Sequence, residues 1–209
     1  MSSALTLSSL PLFPLGTVLF PGGVLPLRIF EVRYLDMIGK CRKAGAPFGV
    51  VSLTEGSEVR VPGGKEAFAQ VGTIATISEL ETPQPGLMVI RAHGEQRFRI
   101  TSSDLLRHGL WVANVERLSA DLAVPVPDDL RSTAQALARL IRSLEQKSAG
   151  GQLPLNTPYR LDDCGWVANR WCELLPLSLQ LKQRLMELDN PLVRLELVSD
   201  VLARTGIAG

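Results

Sequence analysis

Residues 10–34 read LPLFPLGTVLFPGGVLPLRIFEVRY, and this stretch decides the fold of the N-terminal part of the chain. Two apolar runs typical of β-strands, residues 10–20 and 24–30, flank a Phe20-Pro21-Gly22-Gly23 turn. The stretch contains four prolines, which have no backbone N–H to donate, so we expect short strands that are bulged or lie at a sheet edge. The Phe30-Glu31-Val32-Arg33-Tyr34 segment then leads into a helix.

The size and composition of the chain exclude several classes of protein. Its 209 residues suffice for one large domain or two small ones, and 45% hydrophobic with 21% charged residues is ordinary for a globular protein. A formal net charge of +1 gives no strong field for nucleic acid or an anionic membrane, and no apolar run is long enough to span a bilayer. The N-terminus does not resemble a secretory signal, and the three cysteines form no C-x-x-C pair. We therefore expect a cytoplasmic protein without a disulfide framework or a zinc site.

The first part of the chain, up to residue 118, has the texture of a β-rich unit. Residues 31–44 predict its one clear helix, with Val32, Leu35, Ile38 and Cys41 on one apolar stripe and a stop at Gly45. Strands are predicted at residues 48–53, 70–81 and 110–118, and residues 87–101 predict two strands hinged at 93–95. Residues 54–65 predict a loop. About six or seven short strands around one helix indicate a small, curled, partly closed barrel.

Within residues 87–101, apolar and basic residues alternate. Phe98 and Ile100 are predicted to face the core, and Arg97 and Arg99 to face solvent.

The last part of the chain, residues 128–205, is rich in leucine at helical spacing. Residues 119–127, with Pro125 and Pro127, predict a linker before it. Four helices are predicted, with Asp128, Asp162 or Asp163, Ser178 and Asn190 as their caps, and Pro191 as the first residue of the last helix. A loop is expected at residues 148–151 and a helix end at Gly206. Trp166 and Trp171 lie about 140° apart around their helix, so we expect them to face different surroundings.

Four segments together resemble the N-terminal domain of ATP-dependent Lon proteases, the portion that recruits substrates. They are the opening stretch, Gly72-Thr73-Ile74-Ala75-Thr76-Ile77, Gly94-Glu95-Gln96-Arg97-Phe98-Arg99-Ile100, and the helical tail from residue 174 to 195. The resemblance covers nearly the whole chain. It implies an α+β fold, with a PUA-like curled β-barrel subdomain at residues 8–118 followed by a helical-bundle subdomain at residues 128–205.

The ATPase and serine-lysine protease modules of full-length Lon proteases have no counterpart here. The nearest approach to a phosphate-binding loop is Gly63-Gly64-Lys65, but Val59 and Glu66 stand where a P-loop needs glycine and a hydroxyl residue. His93 and His108 both adjoin glycines and are typical of turns or the surface. We therefore expect a stand-alone Lon-domain protein that is not an enzyme, with no catalytic residues, no cofactor and no metal.

The favoured hypothesis for function is a binding module for unfolded or apolar polypeptide segments, acting as an adaptor or recruiter. An unpaired strand edge would add the segment as a further strand, with Phe20, Pro21, Arg28 and Phe30 as the candidate contacts. Whether an ATPase or protease partner acts with it, and its oligomeric state, are left open.

The alternative hypothesis is a PUA-like RNA-binding protein that uses Arg91, Arg97 and Arg99. Low net charge and few aromatic residues disfavour nucleic acid. A hydrolase is the third hypothesis, disfavoured by the scarcity of histidine and the missing nucleotide loop.

Overall fold

The structure is a computed structural model that describes residues 6–59, 64–147 and 155–205. The chain divides into two compact units, one up to Ala120 and one from Asp121. The described part of the first unit contains β1 (Thr6–Leu15), β2 (Val24–Ile29), α1 (Val32–Ala44), β3 (Phe48–Glu55), β4 (Ala67–Phe68), β5 (Val71–Gln84), β6 (Leu87–Leu105) and β7 (Trp111–Arg117).

Five strands of the first unit close into a ring. Neighbouring strands pair in the order β1-β7-β6-β5-β3, and β3 also pairs in parallel with β1. Strand β4 pairs with β3, and β2 pairs with β6 outside the ring. The curled β architecture predicted from the sequence is confirmed.

Two apolar clusters occupy the two faces of this sheet. The inner cluster draws on all five ring strands, while the outer cluster includes Ile29 of β2 and Tyr34, Met37, Ile38 and Cys41 of α1. Alternation along β1 serves both faces, because Leu10 and Leu12 belong to the inner cluster whereas Phe13 and Leu15 belong to the outer one. The ring is therefore filled by side chains, and α1 and β2 cover its outside.

Strand β6 changes face at a bulge. Ile90 and Ala92 belong to the outer cluster, but Phe98 and Ile100, also at even positions, belong to the inner one. The register explains this change: Ala75 pairs with Gly94 and Thr73 with Arg97, so three steps along β6 match two along β5. One extra residue exchanges the faces of the strand. The predicted break into two strands at residues 93–95 is wrong, because β6 is one strand of 19 residues that carries this bulge.

Helix α1 begins after Glu31 and ends at Gly45, whose φ of 61° is the left-handed conformation that glycine adopts freely. The predicted stop is confirmed. The predicted apolar stripe is partly wrong, because Val32 is 73% exposed and Arg33 is buried instead. Strand β5 also continues past its expected end at residue 81 to Gln84, through Pro83.

The second unit is helical: its described part contains a 3-10 turn (Asp128–Leu130), α2 (Arg131–Lys147), α3 (Cys164–Leu174), α4 (Leu179–Glu187) and α5 (Pro191–Thr205). Asp163 and Ser178 accept capping hydrogen bonds from Trp166 and Leu181, as expected. Asn190 Oδ1 likewise accepts from the first turn of α5. Asp128 is not a cap, because its carboxylate instead pairs with Arg131 at 2.6 Å.

The expected linker is partly incorporated into this unit. Val126 donates to Asp162 O and Cys164 donates to Val124 O, so the segment pairs with the approach to α3. Trp171 is buried and donates to Thr133 O, whereas Trp166 is half-buried, so the two indoles have different surroundings as predicted. The expected loop at residues 148–151 and helix end at Gly206 lie outside the described residues, as does Gly63.

Candidate functional site

A surface pocket of about 260 Å³ lies beside strand β2. Six consecutive residues, 26–31, line it, together with Phe13 and Leu15 of β1, Tyr34 of α1, Glu58 and Val59. We refer to it as the β2 pocket. Because both odd and even positions of β2 line the pocket, it follows the edge of the strand rather than one of its faces.

The free edge of β2 follows from its pairing. Among the described strands only β6 pairs with β2. Gly94 N–H donates to Gly23 O at 2.9 Å, and hydrogen-bonded pairs recur at every second position of an antiparallel ladder. Leu25, Leu27 and Ile29 therefore direct their backbone groups to β6. Those of Val24, Pro26 and Arg28 point away from β6, and Pro26 is tolerated there because that edge needs no donor from it.

The inner wall of the pocket is apolar and rigidly supported. The rings of Phe13 and Tyr34 stack with their centroids 4.0 Å apart, and Phe13 also contacts the buried Phe48 ring. Ile29 is buried, while Phe30 is 58% exposed at the end of β2. Because the burial of a large apolar side chain lowers the free energy, Phe30 can stabilise a bound apolar group.

A buried guanidinium fixes the start of α1 beneath the pocket. Arg33 donates to Gly109 O at 2.7 Å and forms ion pairs of 3.2 Å with both Glu31 and Glu66. Burial by itself lowers the pKa of Arg33, but Tyr34 and the two carboxylates outweigh it, so the net shift is upward. Arg33 therefore stays charged and holds Glu31 in place at the pocket rim.

Tyr34 and Glu58 supply polar groups to the pocket. Burial raises the pKa of the Tyr34 hydroxyl well above its ordinary value; Arg33 opposes this rise, and nearby carboxylates add to it. The hydroxyl is therefore protonated at neutral pH. Glu58 accepts a 2.6 Å hydrogen bond from Gly16 N–H, which orients its carboxylate.

The structure brings two of the four candidate peptide contacts to the pocket. Arg28 is exposed and Phe30 lines the opening. Phe20 is 0% exposed, so the expectation that its ring is an exposed contact is wrong; it is a core residue. Pro21 is half-buried and does not line the pocket. Sequence reasoning missed Phe13, Tyr34 and Glu58 as pocket residues, although Tyr34 is the last residue of the stretch 10–34.

The three arginines proposed for RNA binding do not form one solvated row. Arg97 is 3% exposed and donates to Ser119 O, so its predicted solvent-facing position is wrong. Phe98 and Ile100 face the inner cluster as predicted, so Arg97 lies on the outer face, but the segment after β7 covers that face at this point, as the hydrogen bond to Ser119 O shows. Arg91 is half-buried and Arg99 is exposed.

The described residues include no group of three or more His, Cys, Asp or Glu side chains placed to hold a metal ion. His93 is half-buried and His108 is exposed. The three thiols are free and buried, and burial raises the pKa of each. In the described part of the chain, no helix is both long and apolar enough to cross a membrane.

A closed ring of β-strands bearing a lateral pocket beside an open strand edge, followed in the chain by a helical unit, defines a two-unit α+β protein. The family model of the ATP-dependent protease La (LON) substrate-binding domain matches residues 9–204. The chain belongs to this family.

Solved structures agree with this assignment. The Lon N-terminal domain protein from Xanthomonas campestris is 32% identical, with a TM-score of 0.72 over 93% of this chain and 98% of that one. The N-terminal domain of Mycobacterium avium complex Lon protease is 21% identical with a TM-score of 0.59, covers 92% of this chain and 96% of that one, and shows the fold alone. The expected α+β class is confirmed.

Among curated proteins, Lon protease 2 of Herpetosiphon aurantiacus is 28% identical over 209 residues, which are 97% of this chain and 24% of that protein. The Lon protease of Heliobacterium modesticaldum is 28% identical over 207 residues, covering 95% of this chain and 24% of that protein. The chain thus spans about a quarter of the length of the curated relatives it matches.

Proposed function

We propose that this domain recognises polypeptide substrates by binding extended apolar segments as an additional strand on the free edge of β2. The observation that carries the proposal is the coincidence of that edge with an apolar pocket lined by Phe30 and its neighbours. Strand addition derives affinity from main-chain hydrogen bonds and selectivity from pockets that take alternate side chains. Membership of a substrate-binding domain family supports the same role.

The proposed role is that of a non-enzymatic recruiter. Folded proteins hide apolar strand-forming segments, so a site of this kind distinguishes unfolded chains from folded ones without reading a fixed sequence. By analogy with the much longer relatives, a partner ATPase or protease would receive the captured segment.

The first test is fluorescence anisotropy of a labelled unfolded polypeptide titrated with the protein at low and high salt. We expect saturable binding that is nearly independent of salt, because apolar and main-chain contacts release few counterions. A labelled single-stranded RNA is the comparison probe. RNA binding that is lost at high salt, with no polypeptide binding, would overturn the proposal in favour of the arginine-based alternative.

Two variants locate the site. Phe30→Ala removes the exposed ring at the pocket opening, and we expect affinity to fall by about tenfold or more. The matched control is Leu105→Ala, which truncates an exposed apolar residue of the same unit that does not line the pocket. Equal effects of the two substitutions would place the binding surface elsewhere.

A second pair tests strand addition itself. Arg28→Pro removes a backbone N–H that faces the free edge. It should spare the pairing with β6, because Pro26 occupies the equivalent position two residues earlier in β2. Arg28→Ala removes the same side chain and keeps the donor. Strand addition predicts that Arg28→Pro weakens binding several-fold more than Arg28→Ala, and identical affinities would contradict it.

A further inference from the structure

The hydroxyl of Tyr34 is a polar group in the β2 pocket that no described residue of its own unit engages. Tyr34 is 3% exposed and lines the β2 pocket, yet its hydroxyl forms no hydrogen bond with any residue that the structure describes. Its ring is held between other groups, since Phe13 stacks on it and the Arg33 guanidinium lies 4.5 Å from its centroid. A hydroxyl that a fixed ring holds in a pocket without a described protein partner is placed to pair with a bound ligand.

The size of the pocket restricts what that ligand can be. Its volume is about 260 Å³, enough for one large side chain, and its walls at Phe13, Leu27 and Ile29 are apolar. Because the pocket also follows the free edge of β2, the space suits one large side chain of a segment bound along that edge. An aromatic ring fills it with the greatest apolar area for the fewest rotatable bonds.

We propose that the β2 pocket selects a tyrosine side chain of the bound polypeptide, whose hydroxyl pairs with the hydroxyl of Tyr34. This inference rests on the proposed function. A phenol both donates and accepts, so it can pair with Tyr34 in either direction and can also donate to the carboxylate of Glu58. Phenylalanine offers the same ring but leaves the Tyr34 hydroxyl without a partner, which costs affinity.

The test uses one extended host peptide with a single variable position, synthesised with Tyr, Phe, Leu or Lys and titrated by anisotropy. For the unmodified protein we expect the Tyr peptide to bind about two- to tenfold tighter than the Phe peptide, the effect of one net hydrogen bond. Tyr34→Phe removes only the hydroxyl. We expect it to abolish the Tyr-over-Phe preference and to raise the affinity for the Phe peptide, because no hydroxyl is then left without a partner.

The outcomes separate this inference from the proposed function. If the Phe and Leu peptides bind but Tyr is not preferred, or if the preference persists in Tyr34→Phe, the inference is overturned and polypeptide binding stands. Tightest binding of the Lys peptide would also overturn it, since that would assign recognition to Glu58. Binding of none of the peptides, together with no binding of an unfolded polypeptide, would overturn both. Tyr159→Phe, the same change at the other tyrosine of the chain, is the matched control and should retain the preference.

Discussion

Gly72 of β5 lies directly opposite Phe98 of β6, and the Phe98 ring occupies the space that a side chain at Gly72 would need. A Cβ atom at Gly72 would lie 2.7 Å from Phe98 Cζ and 2.4 Å from Val50 O. Phe98 is fully buried in the inner cluster. The glycine therefore leaves room for one large aromatic side chain inside the closed barrel of only five strands.

Gly72→Ala is expected to lower the free energy of unfolding by about 1–3 kcal/mol, because the added methyl group overpacks the inner cluster. Urea denaturation measures the change. Gly39→Ala is the control, since no atom lies within 4 Å of its Cβ position and the residue is in the middle of α1. That substitution should leave stability unchanged or raise it by up to ~1 kcal/mol. Equal losses from both would contradict a packing role for Gly72.

Arg97→Ala and Arg99→Ala should differ although the residues are two positions apart. Arg97 is buried and hydrogen-bonded to Ser119 O, so its loss should cost about 1–3 kcal/mol of stability, whereas Arg99 is exposed and its loss should change stability by less than ~0.5 kcal/mol. Thermal unfolding of the two variants gives the comparison. Similar melting temperatures would contradict a stabilising role for the buried Arg97 and its hydrogen bond to Ser119 O.

The elements that were predictable from the sequence are those with local signals. The stop of α1 at Gly45 and the caps at Asp163, Ser178 and Asn190 depend on the chemistry of one or two neighbouring residues, and all four are present. The opening stretch likewise identifies β2 and its proline-tolerant edge. Local conformational preference is readable because it requires no knowledge of the partner.

The features that were missed depend on distant partners. Alternation correctly placed Arg97 on the face opposite Phe98, but the segment that contains Ser119 covers Arg97 there, and this contact between residues 22 positions apart leaves no local signal. Phe20 sits beside two glycines in a turn, which is typical of the surface, yet other parts of the unit bury it completely. The pocket combines β1, β2, α1 and the segment at residues 58–59, so no short motif could reveal it.

The ion pair between Asp121 and Arg194 predicts a large cost for removing one partner. Arg194 is buried, lies 2.5 Å from Asp121, and also donates to Asn169 and to the carbonyls of Leu185 and Leu188. Asp121→Asn removes the negative charge and keeps the shape, so we expect stability to fall by about 3–5 kcal/mol. Chemical denaturation is the measurement.

The exposed pair of Asp128 and Arg131 is the matched control for this prediction. Asp128→Asn should have almost no effect, since solvent screens an exposed pair. If Asp121→Asn proves as mild as Asp128→Asn, the buried guanidinium does not depend on its carboxylate partner.

Stability in the alkaline range should depend on Cys172. Burial raises the pKa of this thiol from an ordinary 9.0 to about 12. The unfolded chain therefore loses the Cys172 proton before the folded chain does, and this contribution to stability is complete below pH 9 and is lost as the pH rises from 9 towards 12.

Between pH 7.5 and pH 10 the free energy of unfolding should therefore fall by about 1 kcal/mol more in the unmodified protein than in Cys172→Ala. Each pH unit in this window lowers the contribution of the thiol by up to ~1.4 kcal/mol. Both proteins share the remaining titrating groups, so the comparison isolates this thiol, and any cavity left by the substitution lowers both values alike. The same burial predicts that a thiol reagent modifies Cys172 at pH 8 only after unfolding. Equal pH dependence in the two proteins, or rapid modification in the native state, would mean that solvent reaches the thiol in the folded helical unit.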